Sequence, residues 1–136
     1  MYSPRVYAPR AINLFSFRLF FRHYKRLDQG FKLSFQPSRE LAEQTCDQIK
    51  HFKAHLGAPN VRELLVVGGM KVDDQKRALA AGVDIVVATP GRLEDLIQNG
   101  YLSLTQCRFF ILDEADGLLK AGYESLINRL HGKIKV

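Results

Sequence analysis

Arg108-Phe109-Phe110-Ile111-Leu112-Asp113-Glu114-Ala115-Asp116 is the stretch of this 136-residue chain that decides its fold. Four consecutive apolar residues lead directly into an Asp-Glu pair, a pattern typical of a fully buried parallel strand that brings two carboxylates to the carboxyl edge of a sheet. In α/β proteins that edge is where ligands bind. An acid at position 113 is well placed to hold Mg²⁺ beside a nucleotide phosphate, and the acid at 114 could position or deprotonate a water molecule.

A plainer interpretation of the same stretch is that Asp113 and Asp116 only cap the following helix, since aspartate is a favoured N-cap residue. The stretch alone leaves both interpretations open, and the remaining sequence has to decide between them.

Length and composition limit the chain to one domain or less. With 46% hydrophobic residues it can build a core, and no apolar run approaches the roughly 20 residues of a membrane helix. Cys46 and Cys107 match no metal-ligand spacing, and we interpret them as packed thiols. The histidines show no ligand pairing and are interpreted as surface residues: His23, His51, His55 and His131.

The net charge of +6 suggests a nucleic-acid partner, but the charge is unevenly spread. Residues 1–30 hold six basic residues and one acidic residue, whereas residues 31–136 hold 14 basic and 13 acidic residues. Contact between the main body and RNA would therefore depend on local groups rather than on a bulk positive field.

Residues 1–30 are a different kind of sequence, with seven of the 14 aromatic residues and no acid before Asp28. Residues 11–27 contain no proline or glycine and could be helical. The segment loosely resembles a mitochondrial presequence, and a basic, aromatic-rich arm that touches RNA is a second interpretation. We favour a third, that the segment is not a native part of the domain that begins at residue 31.

From residue 31 onward, patterns typical of strands alternate with patterns typical of helices. Strands are predicted over 31–36, 64–67, 83–88 and 109–112. Helices are predicted to follow them over 38–56, 71–81, 90–97 and 118–130, the second with Val72, Lys76 and Leu79 on one side. Strands joined through helices form a parallel sheet with right-handed crossovers, so the expected fold is α/β with flanking helices.

A short group of polar or glycine residues follows every one of these strands. The four groups are Pro37-Ser38-Arg39, Gly68-Gly69, Thr89-Pro90-Gly91-Arg92 and Asp113-Glu114. In a parallel sheet these points share one edge, where helix N-termini, arginine side chains and exposed glycine backbone suit an anionic polymer. The Asp-Glu pair at the same edge suits a metal-bound phosphate.

Taken together, these motifs resemble those of the DEAD-box RNA helicases. The matching runs are Pro-Ser-Arg-Glu-Leu-Ala (37–42), Gly-Gly (68–69), Val-Val-Ala-Thr-Pro-Gly-Arg (86–92) and Leu-Asp-Glu-Ala-Asp (112–116). They stand in the family's order at plausible intervals, and the resemblance covers residues 31–136. Ser38, Glu-Gln-Thr at 43–45 and Asp-Gly-Leu-Leu at 116–119 look most like the branch called DEAD-box helicase 1.

The resemblance implies a partial RecA-like domain of the P-loop NTPase type, one of two domains that close over ATP and RNA. Asp113 would hold Mg²⁺ through water, Glu114 would orient or activate the attacking water, and Asp116 would link the nucleotide site to other motifs. The sugar-phosphate backbone of RNA would be contacted, without sequence preference, by Pro37, Ser38, Arg39, Gly68, Gly69, Thr89, Pro90, Gly91 and Arg92.

Plainer roles are also open for several of these residues. Arg39 could be a solvated residue of a first helical turn, and Arg92 could only pair with a nearby acid such as Asp95. Gly68-Gly69 could be a simple turn. Thr89 is expected to serve both as a helix cap and as a phosphate contact.

Three parts that the family requires are missing from the sequence. No Gly-x-x-x-x-Gly-Lys-Ser/Thr run is present to hold the ATP phosphates, and neither a Ser-Ala-Thr motif nor the second RecA-like domain follows. We therefore expect a fragment of an ATP-dependent RNA helicase that hydrolyses ATP only at background rates and unwinds no duplex. RNA-stimulated hydrolysis that Glu114→Gln abolishes would contradict this expectation.

The alternative is a non-catalytic short form that binds RNA or competes for the full-length protein's partners. A sheet without its first strand would leave an edge uncovered, so weak stability is also expected. The expected location is the nucleus or cytoplasm, with mitochondrial import as an alternative.

Overall fold

A computed structural model describes residues 5–7, 30–55, 61–112 and 115–134. Within these ranges the chain forms one sheet of five parallel strands. The strands are β1 (Arg5–Tyr7), β2 (Phe31–Phe35), β3 (Glu63–Val66), β4 (Ile85–Ala88) and β5 (Cys107–Leu112). The helices are α1 (Arg39–His55), α2 (Val72–Ala81), α3 (Pro90–Gln98), α4 (Ala115–Lys120) and α5 (Glu124–Lys133), with a 3₁₀ turn at Leu104–Gln106.

The strand order across the sheet is β1-β5-β2-β4-β3, so β2 lies at the centre. All five residues of β2 are buried, because helices or neighbouring strands cover both of its faces and both of its edges. This confirms the predicted α/β fold with a parallel sheet and flanking helices.

Each face of the sheet has its own hydrophobic core. On one face α1 packs through Ala42, Cys46 and Ile49 against inward residues of β4, among them Ile85 and Val87. The larger core on the other face joins α3, α4 and α5 to the sheet through apolar residues that include Phe35, Leu93, Leu96, Phe110, Leu118 and Leu130. The helices thus bury the sheet and leave the carboxyl ends of the strands at one edge.

The predicted full burial of the strand before Asp113 is only partly correct. Phe110 is fully buried, but Phe109, Ile111 and Leu112 are half-buried. The reason is that β5 lies two strands away from β4, and Phe109 and Ile111 face the side of the sheet on which the described helix α1 packs against β3 and β4. The outer edge of β5 is paired with β1. The edge that was expected to be uncovered is therefore paired at Arg5–Tyr7.

Two helix predictions also need correction. The single helical segment expected over 118–130 is divided into α4 and α5, and Gly122 takes a φ of +84° at the break. On α2, Val72 is exposed and Lys76 half-buried, and the buried position is Gln75. The face of α2 that meets the sheet is therefore centred on Gln75 and not on Val72 and Lys76 as predicted.

Several other predictions have clear outcomes in the described residues. Cys46 and Cys107 are buried, reduced thiols, and His51, His55 and His131 are exposed. His23, the helix predicted within 11–27 and the pair Asp113-Glu114 lie outside the described residues. No helix in the described ranges is long and apolar enough to cross a bilayer.

Candidate nucleic-acid interface at the carboxyl edge of the sheet

The carboxyl ends of β2, β4 and β3, which are neighbours in the sheet, are joined by backbone hydrogen bonds beyond the strands themselves. The Gln36 amide donates to the Ala88 carbonyl at 2.8 Å, and the Thr89 amide donates to the Val66 carbonyl at 3.1 Å. The segments that follow β2, β4 and β3 therefore begin side by side. Three of the four polar groups predicted at strand ends therefore lie at one edge, and the fourth, Asp113-Glu114, is outside the described residues.

Arg39 is the first residue of α1 and reaches across to the segment after β3. Its Nε donates to Glu43 Oε1 at 2.8 Å, one turn along the helix, and its Nη1 donates to the Gly68 carbonyl at 3.3 Å. The side chain is 56% exposed. Arg39 is thus an exposed first-turn residue, but it has a defined contact with the glycine pair 29 residues away.

Arg92 lies in the first turn of α3 and contacts the same loop from the other side. Its Nη1 donates to the Met70 carbonyl and to Gln75 Oε1, both at 3.0 Å. The side chain is half-buried. The alternative that Arg92 only pairs with Asp95 is wrong, because the guanidinium is turned toward the loop after β3.

Gly68, Gly69 and Met70 therefore form a turn that two arginines hold from two different helices; we call it the clamped turn. The bonds described use Nε and Nη1 of Arg39 and Nη1 of Arg92. Among the described residues, Nη2 of each arginine has no hydrogen-bond partner. Each guanidinium therefore keeps a pair of N–H donors for a ligand at this edge.

The helix N-termini beside the clamped turn differ in how they are capped. Ser38 is exposed and its Oγ accepts from the Leu41 amide at 3.3 Å, so it caps α1. Thr89 occupies the N-cap position of α3, but its side chain makes no capping bond. The predicted capping of α3 by the Thr89 hydroxyl is therefore wrong; the Thr89 carbonyl accepts from the Leu93 amide at 3.2 Å, which is the ordinary first hydrogen bond of the helix.

Two prolines shape the backbone that leads into these helices. Pro37 is half-buried between β2 and α1, and Pro90 is buried at the first position of α3. At that position proline costs no hydrogen bond, since its missing N–H would have no intrahelical partner. Gly91 follows and is exposed.

Gly69 is the position where the clamped turn requires glycine. Its φ is +81°, and a Cβ atom built there would lie 2.6 Å from Arg39 Nη1. We expect Gly69→Ala to lower the free energy of unfolding by about 1 kcal/mol through backbone strain and to displace Arg39 from the Gly68 carbonyl. Urea unfolding followed by circular dichroism measures the first effect.

Gly91→Ala is the matched control for this substitution. Gly91 lies in α3 and a Cβ there would meet no heavy atom within 4 Å. Alanine is the better helix former, so this variant is expected to be as stable as the parent or about 0.5 kcal/mol more stable. Equal losses in the two variants would contradict the special role of Gly69.

Of the three acidic residues predicted at the nucleotide site, the structure describes only Asp116, and the predicted metal ligand Asp113 lies outside the described residues. Asp116 is an exposed residue in the first turn of α4, where a negative charge suits the helix dipole. Its carboxylate has no hydrogen-bond partner among the described residues. These residues contain no cluster of three or more His, Cys, Asp or Glu side chains that could bind a metal.

The structure adds Gln75 to the edge, which the sequence analysis missed. It is 1% exposed, and its amide connects Arg92 to the backbone of β3. The spacing gives no signal for it, because Gln75, Leu79, Gly82 and Val72, Lys76, Leu79 both follow the i, i+4, i+7 pattern of one helical face.

Burial also changes the ionisation of three side chains in the interior, away from this edge. Burial lowers the pKa of Lys32 from 10.5 to about 8, with Asp84 acting in the opposite direction. Burial raises the pKa of the Cys107 thiol to about 12 and raises that of Cys46 as well. Both cysteines therefore stay protonated at neutral pH, which agrees with their interpretation as packed thiols.

Comparison with known proteins shows which family this chain resembles. The model of the DEAD/DEAH box helicase family matches residues 11–136, starting 20 residues before the predicted boundary at residue 31. The chain is 60% identical over 99 residues to "ATP-dependent RNA helicase Ddx1" of Drosophila melanogaster and 56% identical over 102 residues to "ATP-dependent RNA helicase DDX1" of Xenopus laevis. These matches cover 73% and 75% of this chain, and the resemblance to the DEAD-box helicase 1 branch is confirmed.

The fold is also similar to solved structures. A DEAD box protein from the hyperthermophile Methanococcus jannaschii superposes with a TM-score of 0.77 at 30% identity, over 98% of this chain and 37% of that one. The chain spans 14% of the length of the two Ddx1 relatives. With a family match that runs over most of its length and the same RecA-like architecture, the chain belongs to the DEAD/DEAH box helicase family.

Proposed function

We propose that this chain is part of an ATP-dependent RNA helicase and that the carboxyl edge of its sheet holds the sugar-phosphate backbone of RNA. The observation that carries the proposal is the clamped turn. Arg39 and Arg92 are anchored on the same three residues from two helices, and both keep their Nη2 donors for a ligand. A row of phosphates is the ligand that such paired guanidinium groups suit best.

The backbone around the arginines supports the same ligand. Because Thr89 provides no side-chain cap to α3, the amides of its first turn are left to other acceptors, and a helix N-terminus attracts phosphate. Gly68 and Gly91 have no side chain that would keep a polymer away from the backbone. Contacts of this kind read no base, so binding is proposed to be independent of sequence.

The proposal also includes binding of ATP and Mg²⁺, and the support for this part comes from the sequence alone. Asp113 and Glu114 directly follow β5, whose last residue Leu112 pairs in register with Phe35 at the end of β2. Carboxylates are suitable ligands for Mg²⁺, so Asp113 is the proposed metal ligand and Glu114 the proposed group that orients water. The 136 residues contain no phosphate-binding loop, so the second RecA-like domain and further sequence of the whole protein are proposed as partners.

RNA binding by the arginine pair is tested with the double variant Arg39→Ala/Arg92→Ala. A fluorescently labelled single-stranded RNA is titrated with the 136-residue chain at several salt concentrations, and binding is followed by anisotropy. We expect the double variant to bind at least about a hundredfold more weakly, since each of the two lost charged contacts is worth about 1.5 kcal/mol or more. The slope of log K against log salt should fall by about 1.4, or 0.7 for each lost phosphate contact.

Arg77→Ala/Arg129→Ala is the control because it removes the same charge from the surface. Arg77 pairs with Asp74 within α2, and Arg129 pairs with Glu94 at the contact of α5 with α3. We expect this control to keep the parent salt slope within about 0.5. Equal losses of affinity in the two double variants would show that only net charge matters and would contradict the proposed interface.

A further inference from the structure

Gln75 is the buried residue of α2, although it belongs to none of the motifs that identify the family. It is 1% exposed, while its neighbours Asp73 and Asp74 are exposed. An unpaired buried amide is costly, so a glutamine at this depth needs partners for both its donors and its acceptor. The structure provides all of them.

The Gln75 amide connects two separate parts of the carboxyl edge. Its Nε2 donates to the carbonyl of Leu65 at 3.4 Å and to that of Val67 at 3.2 Å, at the end of β3. Its Oε1 accepts from Arg92 Nη1 at 3.0 Å. Gln75 therefore fixes the start of the clamped turn and the guanidinium of α3 with a single side chain.

Arg92 is held in one orientation by this contact. Nη1 carries two hydrogens, and the two acceptors are Gln75 Oε1 and the Met70 carbonyl. Because a guanidinium is planar, fixing both Nη1 hydrogens also fixes the direction of the Nη2 donors. With the hydrogen bond to the Met70 carbonyl alone, the guanidinium plane of Arg92 would be free to rotate about that bond.

We propose that Gln75 is a positioning residue that pre-organises Arg92 for a phosphate of bound RNA. The inference rests on the proposed function and names one further residue for it. An arginine that is already oriented loses less side-chain freedom when the ligand binds, so the same contact gives a higher affinity. Gln75 itself is buried behind Arg92 and does not touch the RNA.

The test is a double-mutant cycle on RNA affinity in the 136-residue chain. Gln75→Met keeps the length of the side chain and removes its polar atoms. We expect Gln75→Met to weaken binding of the labelled single-stranded RNA about fivefold with an unchanged salt slope, because the number of phosphate contacts stays the same. Arg92→Ala should weaken binding and lower the slope by about 0.7.

The decisive variant is Gln75→Met/Arg92→Ala. If Gln75 acts through Arg92, the second substitution has no further effect on affinity once Arg92 is gone. A fivefold loss that persists in the Arg92→Ala background would show a general structural role and overturn the inference. Gln98→Met, an exposed glutamine of α3 bonded to Glu94 at 3.3 Å, is the control and should bind RNA as the parent does.

The cycle separates this inference from the proposed function. If Arg92→Ala leaves both affinity and salt slope unchanged, the proposed interface fails, and the inference about Gln75 fails with it. If Arg92→Ala has the expected effect and Gln75→Met has none, only the inference about Gln75 is wrong.

A measurement on the unmutated chain covers the case in which Gln75→Met does not fold. In ¹⁵N NMR, a guanidinium held at Nη1 rotates slowly about its Cζ–Nε bond and shows separate Nη1 and Nη2 resonances. We expect separate resonances for Arg92 and averaged ones for Arg77, which is 78% exposed. An averaged Arg92 resonance would overturn the inference without any substitution.

Discussion

Phe110→Ala is expected to leave the chain largely unfolded at neutral pH. Phe110 is fully buried in β5, and its ring packs on that of Phe35, with centroids 6.1 Å apart and planes at 59°. Truncating a buried phenylalanine costs about 3–5 kcal/mol through lost burial and the cavity left behind. That is most of the free energy of unfolding of a weakly stable domain, for which about 5 kcal/mol is usual.

Far-UV circular dichroism in urea provides the measurement, since the chain has no tryptophan for fluorescence. Phe109→Ala is the matched control, because Phe109 is the neighbouring residue on the opposite face and is half-buried. Its loss should be about half as large, in proportion to the smaller area it buries. If both variants unfold at the same urea concentration, Phe110 is not the anchor of this core.

Lys32→Met is expected to make the chain more stable at pH 7, by about 1–3 kcal/mol. Lys32 is 4% exposed in the central strand, and its Nζ lies 5.5 Å from the centre of the Phe109 ring. Burial lowers its pKa from 10.5 to about 8, so its ammonium is disfavoured in the folded state. Methionine fills a similar volume without the buried charge.

The pH dependence of the parent follows from the same pKa. Between pH 8 and 10.5 the unfolded state binds the Lys32 proton more strongly than the folded state does, so the free energy of unfolding rises with pH in that interval. Below pH 8 both states carry the proton and the penalty is fully present. The urea midpoint of the parent should therefore be higher at pH 10 than at pH 7. In Lys32→Met this difference should be smaller.

Lys120→Met is the control for removing a positive charge, because Lys120 is an exposed residue at the end of α4. Its pH dependence should match that of the parent. A parent chain and a Lys32→Met variant with identical pH dependence would show that Lys32 is not buried as its ammonium form.

Much of the fold could be predicted from local patterns. The alternation in Phe31–Phe35 and the β-branched run in Ile85–Ala88 mark strands because side-chain periodicity is a local property. Helix ends were predicted to within a few residues, because the stereochemistry of the residue itself favours a helix start at Pro90 and a helix end at Gly82. The break in the last helix was missed because Gly122 looks the same in sequence whether or not it takes a positive φ.

Burial was predicted less well, for reasons that lie in the order of the strands. The apolar run before Asp113 suggested a strand covered on all sides, but on the face of Phe109 and Ile111 the described helix α1 packs against β3 and β4, away from β5. Phe31–Phe35 looked half-polar, yet its central place in the sheet buries even Lys32 and Ser34. Position within a sheet depends on pairing between distant segments, which no local window contains.

The sequence by itself determined the class of fold, the family and the group of polar residues at the strand ends, because each depends on residue types at short spacing. Only the tertiary structure decided how these residues meet. Arg39 and Gly68 are 29 residues apart, Arg92 and Met70 are 22 apart, and Arg92 and Gln75 are 17 apart. Their hydrogen bonds exist because β2, β4 and β3 lie side by side, and that order results from packing across the whole sheet.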